Sequence, residues 1–495
     1  MTRKKKLFLN TVSFLFHNIV GVICGFILPR YMIISYGSEV NGLVSSISQF
    51  MGFINIAECG IGAVIQSALY KPLAEKDDIE ISKIIISAEN FFKKFFIILF
   101  IYSCVLMFVY PTMMLDSFDF IYTMTLIAII AFSAFVQNYL SRTYSLLITA
   151  DSMGFIDAFF RTGGIILNTI ISIILLKAGF GIHIVKFTSA LIFLIRPLFL
   201  FAYVKKHYNL NKKLVLTEEP IKQKWNGLAQ HIAAVISVNT DVILLTLFST
   251  LQNVSIYSVY HLVVNGVRTI ILSMTNGIQP LLGELYAKKE YENLKKEFSS
   301  IEWAMQMLVI FAYTCTGILL LPFISVYTQN ITDANYIVPL FGVLITIANA
   351  ISSIRLPYIT MAYAAGHFRE TQLSSIIEVI LNLIVSIILI FKYGLVGVAI
   401  GTIVALSYRA IYFVWYLSKN ILFRPMKYFY QYIFIDILIP CLTVYIVHFI
   451  NFEVTNYFTW FLYALIVALI TFGVIVIVNL IFYRNQIKNI SKLKK

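Results

Sequence analysis

Long apolar runs, each closed by a short polar or charged segment, recur from one end of this chain to the other. Runs of about 18 residues or more can cross a hydrocarbon core roughly 30 Å thick. They predict helices over 10–34, 40–70, 86–111, 118–147, 154–177, 183–204, 227–248, 253–283, 301–326, 335–362, 371–391, 395–417, 429–450 and 457–483. Several exceed the length a perpendicular span needs, which implies tilt or extension past the bilayer. The short alternating segments of a transmembrane barrel do not occur. The fold class is therefore an all-α polytopic membrane protein of about fourteen transmembrane helices.

The second run is not uniformly apolar. Asn41, Ser45, Ser48, Asn55, Glu58, Gly62 and Gln66 recur at spacings of three, four or seven, so one helical face collects them. Such a face turns toward neighbouring helices or a water-filled cavity. The chain also repeats itself. ILNTIISIILLKAGFGI (166–182) is echoed by ILNLIVSIILIFKYGLVGV (380–398), with Asn168 matching Asn382 and Ser172 matching Ser386. GIQPLLGELYAKKEYENLKKEF (277–298) answers the end of the second run, Leu285-Tyr286 standing for Leu69-Tyr70. The offset passes six crossings, an even number, so the two halves keep one orientation and form a parallel repeat. The expected organisation is a six-helix lobe over 1–204, a basic cytoplasmic linker over 205–226 and a second six-helix lobe over 227–418. A two-helix hairpin with a basic cytoplasmic tail follows over 419–495.

Composition fits this picture: 59% of the 495 residues are apolar and only 13% charged, about half the charge of an average soluble domain. The net charge of +14 lies mostly on the short connections that follow even-numbered crossings, and on the termini. That distribution obeys the positive-inside rule, places both termini in the cytoplasm and makes nucleic acid an unneeded partner. The five cysteines fall inside apolar runs without paired spacing, as small buried hydrophobes do. No P-loop, dinucleotide fingerprint, HExxH or paired Cys-x-x-Cys is present, so no metal site or cofactor is expected. No connection is long enough for the extramembrane lobe of a glycosyltransferase or polymerase. The chain reads as a transporter rather than an enzyme.

The candidate chemistry lies in ionisable residues within the crossings, each costing roughly 2.5–3.5 kcal/mol at a helix centre. Arg268 shares a face of the eighth crossing with His261, Asn265, Asn276 and Gln279, predicted to line a cavity together with Asn55. Its guanidinium suits an anionic phosphate headgroup. The alternative is a structural arginine paired with Glu58 or Asp241. Those two acids are candidates either for coupling to a cation or for ion pairs. Arg161, Arg196, Arg355 and Arg409 lie toward the cytoplasmic halves of their helices, where they either snorkel or together form a basic vestibule. Arg30, beside Pro29, is a candidate gate or an interfacial anchor.

The stretch 27–77 resembles the opening of bacterial polysaccharide repeat-unit flippases, the Wzx-type members of the multidrug/oligosaccharidyl-lipid/polysaccharide (MOP) exporter superfamily. The resemblance rests on Leu28-Pro29-Arg30, on Gly37-Ser38-Glu39-Val40-Asn41-Gly42 and on Glu58-Cys59-Gly60-Ile61-Gly62. It implies two lobes around a cationic cavity that alternate between inward- and outward-open states in the bacterial inner membrane. The implied substrate is an undecaprenyl-diphosphate-linked oligosaccharide for capsule or O-antigen, held by Arg268, Arg161 and Arg355. The polymerase and chain-length proteins of the same pathway are implied partners. Many flippases of this kind are read with twelve crossings, so the final hairpin is a departure that approaches lipid II flippases. A cation-coupled multidrug exporter is the other alternative, although residues 7–34 lack the acid that proton-coupled exporters carry there.

Overall fold

The computed structural model describes residues 3–53, 61–211, 214, 228–275 and 278–482. All regular structure among them is helical. Asn55, Glu58, Asn276 and nearly all of the 205–226 linker beyond 211 lie outside the described residues. Two compact units divide the chain, 1–239 and 240–495.

In the first unit, α1 (Arg3–Met51) passes through Pro29 unbroken but turns sharply at Gly37, whose φ of 84° lies in the left-handed region. Only glycine takes that conformation without strain. Then come α2 (Ile61–Glu75), α3 (Asp78–Met113), α4 (Phe120–Asn138), α5 (Arg142–Ala150), α6 (Gly154–Lys177) and α7 (Ile182–His207). Asp77 caps α3 by accepting from the amides of Ile79 and Glu80, and Asp119 caps α4 in the same way. Each carboxylate satisfies two of the amides a helix start leaves without partners. The division between the units falls within α8 (Leu228–Phe248).

The second unit contains α9 (Leu251–Met274), α10 (Ile278–Ala287), α11 (Tyr291–Tyr327), α12 (Pro339–Ile354), α13 (Leu356–Ala364), α14 (Phe368–Tyr393) and α15 (Leu395–Asn420). The last two helices are α16 (Lys427–His448) and α17 (Tyr457–Phe482). The repeat legible in the sequence is a repeat in packing. The pairs α2–α5, α3–α4, α4–α7 and α6–α7 of the first unit recur as α10–α13, α11–α12, α12–α15 and α14–α15 in the second. Two apolar cores match accordingly. One joins Leu69, Ile85, Leu147 and Leu200 from α2, α3, α5 and α7. The other joins Leu282, Phe298, Met361 and Phe413 from α10, α11, α13 and α15. The hairpin α16–α17 packs on α11 through Met307, Ile439 and Val478, and Trp303 donates to Asn479 at 2.9 Å.

Among the described residues, twelve helical stretches are long and apolar enough to cross a membrane. The crossings expected at 40–70 and 227–248 each include residues outside the described set. The predicted crossings 118–147 and 335–362 are each a pair of half-helices. The α12–α13 break falls at Arg355, where Pro357 cannot donate to the turn before it. Its counterpart, α4–α5, breaks at 139–141. The outward faces carry large apolar side chains such as Phe391, Phe458 and Leu469, each at least 70% exposed. Such faces belong against lipid.

The helices α14 and α15 approach each other closely. A Cβ on Gly397 would stand 2.4 Å from the Leu389 carbonyl oxygen, and one on Gly401 would stand 2.1 Å from Ser386 Oγ. Gly397 and Gly401, four residues apart, let two backbones touch, as small residues do where helices pack within lipid.

Candidate functional site

The second unit buries an oxygen-rich cluster around Asp241 of α8. Thr402 of α15 has its hydroxyl 3.0 and 2.9 Å from the two carboxylate oxygens, and Tyr257 of α9 donates at 2.9 Å. The amide of Asn382 on α14 stands 3.5 Å from Asp241 and 3.2 Å from Thr402 Oγ1. Ser386 reaches both Asn382 Oδ1 (3.4 Å) and the carbonyl of Val398 (3.5 Å). Helical spacing builds this arrangement: Asn382 and Ser386 are one turn apart on α14, as Val398 and Thr402 are on α15. One carboxylate, three hydroxyls and a backbone carbonyl form a hard-oxygen set, the donor type preferred by small s-block cations.

Arg268 lies half-buried on α9, seven residues after His261 and three after Asn265. The ring of His261 stacks on Tyr257, 5.6 Å between centroids, which links the arginine's face to the Asp241 cluster. Arg268 lies within electrostatic reach of His261, Tyr313 and Arg355. Among the described residues no acid pairs with it and its buried Nε finds no hydrogen-bond partner. Asp241, the partner considered from the sequence, is held by Thr402, Tyr257 and Asn382 instead.

The other arginines are held by acids. Glu378 of α14, 1% exposed, accepts from Arg355 Nη1 at 2.6 Å and also from Arg409 Nη1, while Arg409 Nη2 donates to Ser375 at 2.8 Å. In the first unit Arg196 makes a bidentate pair with Asp157 at 2.7 and 3.0 Å. The same carboxylate accepts from Arg161 at 3.3 Å and from Ser145 at 2.8 Å. A basic vestibule built from all four would need those charges unspent. Asp157 and Glu378 went unnoticed in the sequence. Glu378 lies 23 and 31 residues from its two arginines and Asp157 lies 39 residues from Arg196, with no local periodicity linking them. Asp157 and Arg161, by contrast, four residues apart on α6, form a pair that helical spacing alone makes legible. The signal available was the charge itself: any acid inside a membrane helix calls for a partner. Glu302, fully buried on α11, is a third case, accepting from Tyr358 at 2.5 Å and from Arg424.

Of the remaining sequence candidates, Gln279 lines a cavity of about 340 Å³ at the α9–α10 break, with Thr275, Thr360 and Tyr363. Arg30 is half-buried on α1. Arg161 lines a cavity of about 210 Å³ within the first unit, beside His17, Gln137 and Arg142. Among the described residues no cluster of His, Cys, Asp and Glu has the make-up of a transition-metal site.

No protein-family model matches this sequence, and no curated protein does. Solved structures do match. The fold is similar to the lipid II flippase MurJ in an inward closed conformation, with TM-score 0.71 at 17% identity, covering 96% of this chain and 99% of that one. It is similar to an inward-facing multidrug resistance MATE family transporter of the MOP superfamily, with TM-score 0.62 at 13% identity, covering 81% and 94%. The MATE multidrug transporter DinF-BH gives TM-score 0.54 at 14% identity over 84% and 96%. This chain has the fold these transporters share.

Proposed function

We propose that this protein is a flippase that carries undecaprenyl-diphosphate-linked oligosaccharide repeat units from the cytoplasmic to the external leaflet of the bacterial inner membrane. It works by alternating access, with both termini in the cytoplasm, and supplies a surface polysaccharide polymerase. The observation that carries this reading is Arg268: a guanidinium inside a membrane helix that no described acid neutralises. An arginine so placed calls for a mobile anion, and its planar fork matches phosphate oxygens bidentately. Arg355, bound to Glu378, positions the site and adds to its field; Arg161 plays the equivalent part in the first unit. The Asp241 cluster takes a monovalent cation whose gradient drives the cycle. The residues that hold it would be Asp241, Thr402, Ser386 and the Val398 carbonyl.

A second reading, a lipid II flippase, is favoured by one comparison. The MurJ structure aligns with more of this chain than the MATE transporters do, and the difference is about the length of the α16–α17 hairpin. Gene deletion separates the readings. Loss of surface polymer with accumulation of the finished unit on its carrier supports the repeat-unit flippase. Lethality even when no sugar intermediate is made points to lipid II, and normal polymer with raised drug sensitivity points to a multidrug exporter. In a complemented strain, normal polymer with Arg268→Ala would overturn the diphosphate role.

A further inference from the structure

The internal repeat places one asparagine–serine pair in each unit with the same local geometry but different surroundings. Ser172 donates to Asn168 Oδ1 at 3.4 Å, and Ser386 to Asn382 Oδ1 at the same distance. This fixes the carbonyl end of each amide and leaves its NH₂ group to donate elsewhere. In the second unit that group lies against a carboxylate, Asp241. In the first unit no described acceptor receives it.

Asn168 instead lines a cavity of about 270 Å³ inside the first unit, with Ser48, Gln137, Asn138, Lys186 and Ser189. Its polar groups fall into two sets. Ser48 spends its proton on the Val44 carbonyl, Ser189 on Val185, and Gln137 donates back to Ser133, so these three are left as acceptors. The amides of Asn138 and Asn168 and the ammonium of Lys186 remain as donors that no described group accepts. Lys186 lies on α7, and no acid among the described residues pairs with it. The neighbouring cavity, which shares Gln137 and Asn138, holds Arg142 and the Arg161 and Arg196 that Asp157 binds. An ammonium in a membrane helix that no described acid meets is costly unless an anion reaches it. The cavity has room for a small ion and part of its water shell, since one water occupies about 30 Å³.

We propose that this cavity of the first unit binds a small inorganic monovalent anion, for which chloride is the test ligand, between Lys186 and the amides of Asn138 and Asn168. The bound anion does in one unit what the fixed carboxylate of Asp241 does in the other. The inference stands apart from the identity of the transported substrate.

The test uses the full-length protein in nanodiscs, unfolded by heat at constant sodium and ionic strength with chloride, bromide or gluconate. Wild type should melt several degrees higher in either halide than in gluconate, with a saturable dependence on halide concentration. Lys186→Met should abolish that difference. Asn168→Asp should abolish it too while raising Tm in gluconate, because the new carboxylate meets the ammonium directly; this variant decides the matter if Lys186→Met does not fold. Crystals grown in bromide should show anomalous scattering beside Lys186. Equal Tm in all three anions for wild type would overturn the proposal. So would a halide effect that survives in both variants.

Discussion

Replacing Glu378 with glutamine removes one negative charge from a site where two guanidinium groups depend on it. Arg355 and Arg409 are each 8% exposed, and both bond to that single carboxylate. The substitution keeps the side chain's shape and one acceptor oxygen, so it tests charge rather than packing. Breaking a buried pair from one side costs about 3–5 kcal/mol, because the orphaned charge stays buried. For a unit of this size each kcal/mol moves Tm by roughly 2–4 °C, which gives an expected fall of roughly 6–20 °C. Thermal unfolding of purified protein in nanodiscs reads this directly. Adding Arg409→Gln to Glu378→Gln should recover several degrees, since one of the two stranded charges is then gone. An unchanged Tm for Glu378→Gln, or a double variant no more stable than the single, would refute the view that this carboxylate balances both arginines.

Asp157→Asn should act the same way in the first unit, lowering Tm by several degrees, because Arg196 loses a bidentate partner and Arg161 its contact; the same melting assay checks it. Gly397→Ala should destabilise by about 1–3 kcal/mol through overpacking, since the added carbon would strike the Leu389 carbonyl, a backbone atom that cannot rotate away. Gly473→Ala, with nothing within 4 Å of the added carbon, should leave Tm nearly unchanged and serves as its control. Asp241→Asn should remove any sodium dependence of Tm, because a cation that binds only the folded state stabilises it in proportion to ln(1 + [L]/Kd); a sodium effect retained in the variant would place the ion elsewhere.

The helices and the duplication were legible in the sequence because both are local or periodic. An apolar run long enough to span lipid has few alternatives, and Asn168–Ser172 recurring as Asn382–Ser386 pointed to a packing scheme that the two units do share. Arg268 and Asp241 stood out as charges at mid-helix, and the Asp241 surroundings turn out to be oxygen-rich. The distant partners were not legible. Asp157 meets Arg196 across 39 residues and Glu378 meets Arg409 across 31, and such distances encode nothing until the helices pack. Arg355 likewise meets Glu378 only across 23 residues, whereas Asp157 and Arg161, one turn apart on α6, form a pair that the spacing makes legible. Lys186 passed unremarked because it lies one turn into its helix, where a lysine normally reaches for the interface.

The α14–α15 hairpin has a consequence for biosynthesis. A single residue, Gly394, joins its two helices, and Gly397 and Gly401 let their backbones touch. Glu378 lies on the first arm and Arg409 on the second, so their opposite charges meet inside the hairpin itself. A segment that leaves the ribosome in this order carries a buried acid and a buried arginine that can offset one another as the hairpin enters lipid. Its remaining charges, Arg369, Glu370, Lys392 and Lys419, lie near the ends of its two helices. Arg355 is synthesised earlier, on the preceding span, and waits for its acid until that hairpin arrives. The order of synthesis thus makes α14–α15 the latch that closes the second unit.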